Sequence, residues 1–302
     1  MDDVLPLPEL VFLSCAQINS HIGDDLLVGK HLPDFELKEL NWRKFKPEPK
    51  VQVGAIIRTT WDYHLHLADF LKTLRDIEAS GLKLMNPAAL VEWNSKKIYL
   101  QELASKGVAI PESYFFRLDS VEQLKDIIVN SAAKNATQSL RISSDWILKP
   151  QVSLSAHNTF WIKSDDQKSG LVKAFEALKG EEVILQVFCK EVLDPGEISL
   201  VFFNGEFSHA ALKTPKNGDF RVQDEHGGYI RNYVPSPEEI STAQQMLKHV
   251  PHNWLYARVD MIPTKSNGLL LMELELIEPS LYLKTNPEAP KNFAKAIKAW
   301  LA

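Results

Sequence analysis

The sequence predicts a mixed fold, α/β in residues 1–88 and α+β beyond them, and three observations indicate it. A strand, a helix and a second strand follow one another between residues 53 and 85, the order typical of a parallel sheet. Two hairpin signals, Asn204-Gly205 and Asn267-Gly268, lie in the last third of the chain and favour antiparallel strands there. The length of 302 residues suits about two domains or one large domain.

Composition and charge restrict the classes of partner. The chain has 34 Lys and Arg residues against 39 Asp and Glu residues, a formal net charge of −5. Hydrophobic residues make up 45% and charged residues 24%, the balance of a soluble globular protein. Because the cationic excess of nucleic-acid-binding proteins is missing, we expect no nucleic-acid partner.

The N-terminus and the two cysteines indicate a cytoplasmic protein. The apolar run at residues 10–15 has the length of a strand, far below the ~20 residues of a membrane span. A signal peptide requires a basic segment before its apolar run, but no Lys or Arg precedes Lys30. Cys15 and Cys189 form no Cys-x-x-Cys pair and are too few for a disulfide framework. We therefore expect no membrane partner and a reducing, cytoplasmic location.

The first elements form the α/β part. Strands are predicted over 10–15 and 53–57, because both runs are short and apolar. Apolar residues recur at helical spacing between Trp61 and Gly81, and Gly81 is placed to end this helix in a left-handed conformation. A short strand over 82–85 follows.

The middle of the chain alternates helices and strands. Gly107 ends one short helix, and Ser120 and Gln123 form a capping box that opens another. The polar residues 131–144 are predicted to form a loop. The other elements predicted here are helices over 97–106, about 120–129 and about 169–179, and strands over 146–149 and 183–188.

The last third is rich in strands. Asn204-Gly205 joins two strands in one hairpin, and a second hairpin closes across the loop that contains Asn267-Gly268. Ser236, Pro237 and Glu239 occupy the N-cap, N1 and N3 positions of a helix. The elements predicted here are strands over 198–203, 207–212, 256–262 and 269–277, this helix to about residue 249, and a terminal helix over 288–301.

One acidic strand pair is a candidate functional site. Alternation along a strand places Arg258 and Asp260 on one face, and likewise Glu273 and Glu275. If the hairpin pairs these strands, three carboxylates converge beside one arginine and require a cation, because buried unpaired carboxylates are costly. Oxygen ligands of this kind suit Mg²⁺. The alternative is an ordinary solvent-exposed face of an antiparallel sheet.

Two cationic segments could hold phosphate. Lys149 ends a strand and precedes a loop of small polar residues, 151–159, whose N–H groups could bind phosphate together with the ammonium group. The second segment runs from Lys213 to Arg221 and on to the turn at 227–228, where glycines let the backbone approach a ligand closely. Ordinary charged surface loops are the alternative for both segments.

The remaining motifs give little support for a histidine metal site or for other enzyme classes. His64 and His66 would point in different directions on a helix, which makes them poor joint metal ligands. The sequence has no Gly-x-Ser-x-Gly, Gly-x-Gly-x-x-Gly or His-Glu-x-x-His motif, so the hydrolase and dehydrogenase classes lack support.

Six segments, read in order, resemble the ATP-grasp superfamily over nearly the whole chain. They are RTTWDY (58–63), NP (86–87), WNSKKIYL (93–100), GEISLVFF (196–203), GDFRVQ (218–223) and MELELIEPS (272–280). Within the superfamily the sequence is similar to the glutathione-synthetase and RimK-type branch, and to the group that includes the O-ureido-serine cyclo-ligase of cycloserine biosynthesis. The resemblance implies a Rossmann-like pre-ATP-grasp domain over 1–88, a small ATP-grasp subdomain, the lid, over 89–185, and a large subdomain with the metal site over 186–302.

The resemblance also implies a nucleotide site with separate contacts to phosphates, adenine and ribose. The matching residues are Lys97, Lys149, Ser153 and Ser155 at the phosphates, Gln186, Val187 and Phe188 at the hinge whose backbone reads adenine, and either Glu191 or Glu197 at the ribose.

The implied cofactors are ATP and two Mg²⁺ ions, for which Mn²⁺ can substitute. The matching residues are Arg221 and Lys213 at the transferring phosphate, Arg258 at the acyl-phosphate centre, and Asp260, Glu273 and Glu275 as metal ligands. At the end of the strand over 53–57, where open α/β sheets bind ligands, we expect an acceptor pocket lined by Arg58, Trp61, Asp62 and Tyr63. The alternative is that these aromatic residues simply pack on the core.

Two departures from the family pattern concern the site. The branch commonly has Glu-x-Asn where this chain has Glu273-Leu274-Glu275, which adds a negative charge among the metal ligands. The loop over 153–159 lacks the glycines that are common over the phosphates.

The resemblance implies ATP-dependent ligation of a carboxylate and an amine, between molecules or within one, through an acyl phosphate and with release of ADP and phosphate. The implied substrates are amino-acid-like or peptide-like small molecules. The alternatives are an ATP-binding regulatory protein and a phosphotransferase of the same fold. Dimers are common among soluble enzymes, so the oligomeric state stays open between monomer and homodimer.

Overall fold

The computed structural model describes residues 6–15, 24–136, 145–222, 226–265 and 268–302, and its strands form three separate sheets. The predicted loop residues 137–144, the motif residue Gln223 and the turn residue Asn267 lie outside the described residues. Within the described part, no helix combines the length and the apolar character that crossing a membrane requires.

The first sheet consists of four parallel strands in the spatial order β2-β1-β3-β4: β1 (Glu9–Ser14), β2 (Glu36–Asn41), β3 (Gln52–Thr59) and β4 (Lys83–Met85). Helix α1 (Leu67–Ala79) joins β3 to β4, and Gly81 beyond it has a φ of 84°. The predicted strand–helix–strand unit and its left-handed ending are therefore confirmed. The sequence pattern does not reveal β2, because this edge strand carries partly exposed charged side chains instead of an apolar run.

Two short helices, α2 (Ala88–Asn94) and α3 (Tyr99–Ser105), follow the first sheet. Only α3 was expected from the sequence. Buried side chains of both helices, among them Leu90 and Leu103, share a core with residues 198–212 and 257–276. The segment that follows the predicted domain boundary at residue 88 therefore packs against the last third of the chain.

The second sheet is antiparallel and has the spatial order β5-β8-β6-β7: β5 (Ser113–Arg117), β6 (Trp146–Pro150), β7 (Phe160–Ile162) and β8 (Glu182–Val187). Helices α4 (Val121–Ala136) and α5 (Gln167–Leu178) accompany it. The expectation of a loop from residue 131 is wrong for residues 131–136, which continue α4. Three alanines in these six residues favour helix, which outweighs the polar composition.

The third sheet is antiparallel and has the spatial order β11-β10-β9-β12-β13: β9 (Glu197–Phe203), β10 (Glu206–Thr214), β11 (Tyr229–Tyr233), β12 (Tyr256–Thr264) and β13 (Gly268–Glu275). Both predicted hairpins form, and Asn204 and Gly205 have φ values of 48° and 85°. Helix α6 (Pro237–Leu247) begins with a complete capping box between Ser236 and Glu239. These turns and caps follow the sequence signals directly.

The last helix and one asparagine join the first sheet to the third. Phe293 and Ile297 of α7 (Ala289–Leu301) pack in one core with Leu10 and Ile56 of the first sheet. Asn86, which has a φ of 65°, donates to the carbonyls of Tyr256 at 2.9 Å and Leu276 at 2.7 Å and accepts from the N–H of Leu255 at 2.6 Å. These contacts fix the end of the first sheet above β12 and β13.

Candidate active site

A cavity of about 920 Å³ opens where the three sheets meet. Arg58 at the end of β3, Lys149 and Gln186 in the second sheet, and Asp260 and Glu273 in the third all line it. Its volume is that of a site for small molecules. The cavity therefore brings together residues that the sequence placed far apart.

The predicted acidic strand pair forms as expected. The register of β12 and β13 places Arg258 opposite Glu275, and Asp260 opposite Glu273. Asp260 is 2% exposed and Arg258 is 5% exposed. The alternative of an ordinary solvated sheet face is therefore wrong for these residues.

Asp260 accepts hydrogen bonds from three side chains. Arg258 donates from Nε to Oδ1 at 2.9 Å and from Nη2 to Oδ2 at 2.8 Å, and Lys213 Nζ donates to Oδ2 at 2.9 Å. Ser199 Oγ donates to Oδ1 at 2.6 Å. Burial opposes ionisation, but Arg258 and Lys213 lower the pKa of Asp260. Asp260 is therefore an anion at neutral pH.

Glu273 and Glu275 each bind a cation. Lys97 Nζ lies 2.9 Å from Glu273 Oε1, and Arg258 Nη2 donates to Glu275 Oε1. Burial opposes ionisation of Glu273, but the ammonium groups of Lys97 and Lys149 lower its pKa. Burial raises the pKa of Glu275 to about 7, although Arg258 acts against the shift. The additional glutamate of this chain is thus the carboxyl group that titrates near neutrality.

The three carboxylates are paired with cations of the protein and do not surround one point. Within the described ranges, no three His, Cys, Asp or Glu side chains form a group that could hold a metal ion. The cation that the buried carboxylates require is supplied by Lys97, Lys213 and Arg258. The donor set still fits Mg²⁺, which prefers oxygen, because Glu273 and Glu275 line the cavity with side chains that are 31% and 24% exposed.

Lys213 lies deep beside the acidic strand pair. Its ammonium group is 2.5 Å from Glu197 Oε1 and 2.9 Å from Asp260 Oδ2, and Lys213 is 2% exposed. Glu197, one of the two predicted ribose ligands, is therefore committed to Lys213. Glu191, the other, is partly exposed in the 3-10 helix Lys190–Val192 and is not among the described residues that line the cavity.

Lys149 lines the cavity, and its ammonium group is not paired with a carboxylate of the described residues. It lies near the end of β6 and, among the described residues, forms no hydrogen bond or ion pair through its ammonium group. Burial lowers the pKa of Lys149, although Glu273 acts against the shift. A negatively charged ligand would relieve this cost, because it would neutralise the partly buried charge.

Aromatic and sulfur-containing side chains close one end of the cavity. Phe188, Phe220 and Met272 line it, and Trp161 supports them from behind. The ring centroid of Trp161 is 4.5 Å from that of Phe188 and 5.7 Å from that of Phe220. This end is suited to a flat apolar group.

The predicted adenine hinge follows β8 at the same end. The N–H groups of Val187 and Phe188 donate to the carbonyls of Glu112 and Asp145, and the Gln186 side chain is hydrogen-bonded to β5. These two N–H groups are therefore already paired with residues that flank β5 and β6, and the predicted contact of the hinge backbone with adenine would have to use other backbone groups. Gln186, Val187 and Phe188 nevertheless line the cavity.

The loop after β6 covers the cationic part of the cavity. The carbonyl of Ser153 accepts a hydrogen bond from Lys97 Nζ at 3.1 Å. Ser155, Ala156 and Asn158 have φ values of 51°, 54° and 53°, which cost about 1 kcal/mol each for residues other than glycine. The loop therefore makes its turns with strained residues where the family uses glycines.

Arg221 lines the cavity but is bound to a neighbour. Its Nε and Nη2 donate to the two carboxylate oxygens of Asp219 at 3.0 and 2.8 Å. The side chain of Arg221 is 36% exposed. A phosphate would have to compete with Asp219 for this guanidinium group.

Arg58 joins the first sheet to the segment after β13. It donates to both oxygens of Asp25 at 3.0 Å and to the carbonyl of Pro279 at 2.9 Å, and it is 3% exposed. Asp25 lies in the 3-10 helix Asp25–His31, which the sequence pattern did not predict. Arg58 lines the cavity, but its charge is already neutralised by Asp25.

The other three predicted acceptor residues divide between the cavity and the core. Trp61 and Tyr63 line the cavity, and Tyr63 also packs on Phe70 with 5.1 Å between ring centroids. Asp62 is not one of the described lining residues, because it accepts hydrogen bonds from Trp42 at 2.6 Å and from Arg43 at 3.1 Å. The expectation that Asp62 lines the pocket is therefore wrong.

Four consecutive carbonyl groups after β13 accept hydrogen bonds from side chains of other elements. The pairs are Trp61 Nε1 with Glu278 O at 3.3 Å, Arg58 Nη2 with Pro279 O at 2.9 Å, Arg258 Nη1 with Ser280 O at 3.0 Å, and His209 Nε2 with Leu281 O at 2.7 Å. Residues 278–281 are thereby fixed against the cavity. This segment lies partly within the quoted MELELIEPS motif, but its role could not be deduced from the sequence.

Two histidines face each other across the cavity. The rings of His64 and His157 have centroids 6.2 Å apart, and both residues line the cavity. Burial and His157 lower the pKa of His64. His66, its neighbour in the sequence, is exposed and lies outside the described lining. The pair of histidines that meets in the structure is therefore not the pair adjacent in sequence.

Two family models match the chain. Residues 10–86 match the N-terminal domain of D-cycloserine synthetase DcsG. Residues 116–281, more than half of the chain, match the ATP-grasp domain of prokaryotic glutathione synthetase and include Lys149, Asp260, Glu273 and Glu275. The first match covers the parallel sheet and the second covers most of the cavity.

Individual proteins agree with these matches. The chain is 25% identical over 276 residues to the cycloserine biosynthesis protein DcsG of Streptomyces lavendulae, which covers 87% of this chain and 86% of that protein. It is 23% identical over 249 residues to the glutathione synthetase of Prochlorococcus marinus subsp. pastoris, which covers 81% of this chain and 69% of that protein. The crystal structure of D-cycloserine synthetase DcsG has a TM-score of 0.80 at 21% identity, over 97% of this chain and 100% of that one, and so shares the fold. The chain belongs to the family of prokaryotic glutathione synthetase ATP-grasp domains.

Proposed function

We propose that this ATP-grasp protein is a carboxylate–amine ligase for an amino-acid-like small molecule. The substrate carboxylate attacks the γ-phosphorus of ATP, which gives an acyl phosphate and ADP. An amine then displaces phosphate and forms a C–N bond. The observation that carries the proposal is the cavity at the meeting of three sheets, in which no carboxylate of the described residues pairs with the Lys149 ammonium.

Charge neutralisation is the main requirement of the first step, because a carboxylate must approach a triphosphate with about four negative charges. We assign a phosphate to the ammonium group of Lys149. The neighbouring Lys97 donates a hydrogen bond to the Ser153 carbonyl. Mg²⁺ held by Asp260, Glu273 and Glu275 would supply further positive charge to the phosphates. Arg258, which lies between Asp260 and Glu275, is placed to stabilise the oxyanion of the second step.

The nucleotide base is assigned to the aromatic end of the cavity. Phe188, Phe220 and Met272 offer apolar faces there, and burial raises the pKa of the Cys189 thiol to about 12, so no negative charge opposes the base. Glu197 is bound to Lys213, so we assign the ribose hydroxyls to Glu191, which is partly exposed and lies between the lining residues Cys189 and Val192.

The acceptor is assigned to the space between the end of β3 and residues 278–281. Trp61 and Tyr63 line this part of the cavity, and Arg58 fixes its floor through the Pro279 carbonyl. The match of residues 10–86 to the N-terminal domain of D-cycloserine synthetase supports an amino-acid-like acceptor. The same match favours ring closure within one substrate molecule over joining of two.

The decisive assay measures release of ADP and phosphate from ATP and Mg²⁺ over a panel of amino acids and their amine-bearing analogues, with and without hydroxylamine. Trapped hydroxamate would confirm an acyl phosphate. ATP binding without turnover on any substrate would contradict the ligase and favour a regulatory ATP-binding protein. A stable phosphorylated product without hydroxamate would favour a phosphotransferase.

A further inference from the structure

The carboxyl group of Glu278 is a buried group that the proposed chemistry does not yet use. Glu278 lines the cavity and is only 6% exposed. Among the described residues, no other residue donates a hydrogen bond to its carboxyl group or forms an ion pair with it. Its own backbone N–H is the donor that contributes at this carboxyl group. A buried carboxyl group without a cationic partner is costly, so a ligand that supplies a cation would bind favourably here.

The backbone around Glu278 is held rigidly. Trp61 donates to the Glu278 carbonyl, and Arg58 donates to the next carbonyl along, that of Pro279. Both donors belong to the end of the first sheet, where the acceptor is assigned. The carboxyl group of Glu278 is therefore presented to the acceptor space from a fixed segment, as a group that positions a substrate requires.

The charged and titratable groups around Glu278 leave it without a cation. Those that influence it are Glu275, Glu273 and Lys97 from the cavity wall, with Tyr63 from the 3-10 helix after β3 and Tyr256 from β12. Lys97 already binds Glu273, and Arg258 already binds Glu275. No cation of the described residues around Glu278 is therefore left to pair with its carboxyl group.

We propose that Glu278 binds the amino group of the substrate and makes the enzyme prefer amino acids over hydroxy acids of the same shape. The proposal rests on the proposed ligase function, which it deepens by assigning the residue that recognises the α-amino group of the substrate, a group distinct from the amine that attacks the acyl phosphate. An ammonium group offers both the positive charge and the N–H donors that the carboxylate lacks, whereas a hydroxyl group offers one neutral donor. Burial and the neighbouring Glu275 raise the pKa of Glu278, which is the direction expected of a carboxyl group awaiting a cation.

Lys149 and Glu278 then define two parts of the cavity that favour ligand groups of opposite charge. Lys149, on β6, awaits an anion, and Glu278, beyond β13, awaits a cation. A nucleotide and an amino-acid-like substrate supply these two charges separately. The two sites can therefore be tested independently of each other.

The test is calorimetric binding of amino acids and of the 2-hydroxy acids with the same side chains. The protein is saturated with a non-hydrolysable ATP analogue and Mg²⁺, so binding is measured without turnover. Wild type is expected to bind at least one amino acid about 10-fold or more tightly than its hydroxy acid. Glu278→Gln should abolish this preference and leave the affinity for the ATP analogue within twofold, while Glu278→Asp, which keeps the charge, should retain part of the preference.

The control is Glu206→Gln, which removes a carboxylate from the exposed start of β10 and should change neither affinity. The proposal is overturned if wild type binds none of the amino acids, or if Glu278→Gln keeps the wild-type ratio of amino-acid to hydroxy-acid affinity. It is also overturned if Glu278→Gln instead raises the Mg²⁺ concentration needed to bind the analogue, which would assign the carboxyl group to metal. Failure of the ligase assay with an intact amino preference would reject the proposed reaction and not this site.

Discussion

Lys213 and Asp260 form an ion pair of 2.9 Å in which each side chain is only 3% exposed. Arg258 binds the same carboxylate, and Glu197 binds the same ammonium group. Each of these charges is tolerated in the interior because the others neutralise it. The cluster is therefore a single electrostatic unit in which removal of one member leaves another buried and unpaired.

Asp260→Asn should lower the free energy of unfolding by about 3–5 kcal/mol, because Lys213 and Arg258 would lose their shared anion. Urea denaturation checks this. Asp76→Asn is the matched control, since Asp76 pairs with Lys72 on an exposed helix surface and should cost less than about 1 kcal/mol. Equal effects of the two substitutions would contradict the account of the buried cluster.

Lys149→Met should leave the melting temperature unchanged or raise it, because the variant removes a partly buried charge without a bound partner. Its affinity for ATP should fall about 10- to 100-fold, the value of a lost charge-assisted hydrogen bond. Lys97→Met is the comparison, and it should lower the melting temperature because Glu273 loses its cation. Calorimetric unfolding and ATP titration separate the two variants, and a large destabilisation by Lys149→Met would count against a free ammonium group.

Glu273→Gln should reduce activity far more than stability. The side chain is 31% exposed, and the oxygen of glutamine can still accept a hydrogen bond from Lys97, so we expect a change of no more than about 1 kcal/mol in unfolding free energy. Turnover with Mg²⁺ should fall about 100-fold or more, because the phosphates lose several kcal/mol of charge stabilisation. Steady-state rates across a Mg²⁺ titration check this, and wild-type turnover would refute the metal assignment.

Gly196→Ala should cost about 3 kcal/mol or more of unfolding free energy. Gly196 has a φ of 117°, and an added Cβ would lie 2.5 Å from the carbonyl oxygen of Lys213. Gly205→Ala is the control, because it has a φ of 85° with open space around its Cβ position and should cost only about 1 kcal/mol. Thermal denaturation of both variants measures the difference, which we attribute to the close approach of the Lys213 backbone.

His209→Gln should remove part of the loss of stability in acid. Burial lowers the pKa of His209 to about 4 from an ordinary value of 6.5, so the folded protein holds this ring neutral. The unfolded chain therefore binds more protons between pH 6.5 and 4, and the stability contribution is complete above pH 6.5 and is lost as pH falls through this window. The loss in wild type amounts to about 3 kcal/mol.

Denaturation at pH 7 and pH 4 should show that His209→Gln loses less stability than wild type over this interval. The exposed His252 provides the control substitution His252→Gln, which should keep the wild-type pH dependence. An unchanged slope in His209→Gln would mean that burial does not hold the ring neutral in the folded protein.

The sequence predicted those elements whose signals are local. The strand–helix–strand unit of the first sheet, the Asn204-Gly205 hairpin and the Ser236 cap each depend on neighbouring residues and were confirmed. The strands β2, β5, β7 and β11 escaped detection. β7 has only three residues, and the other three are edge strands without a fully buried side chain, so burial does not impose a clear alternation on their sequences.

The candidate site was predictable to the same extent. Alternation and the hairpin signal correctly brought Asp260, Glu273 and Glu275 together beside Arg258, because the pairing of two strands across a short turn depends on neighbouring residues. Which cation binds which carboxylate depends on long side chains that reach across sheets, as with Lys97 and Glu273. Arg58 and Pro279 are 221 residues apart in the sequence, and no pattern within one segment could predict their contact.

The side chain of Asn86 joins the first sheet to the third through hydrogen bonds. Its amide group satisfies backbone groups of Leu255, Tyr256 and Leu276, where β12 begins and β13 ends. Because α7 also packs its buried face on the first sheet, we expect the first sheet, the third sheet and α7 to open together as one cooperative unit. Native-state hydrogen exchange should then give the first and third sheets one common opening free energy, so the unit that folds is discontinuous along the chain.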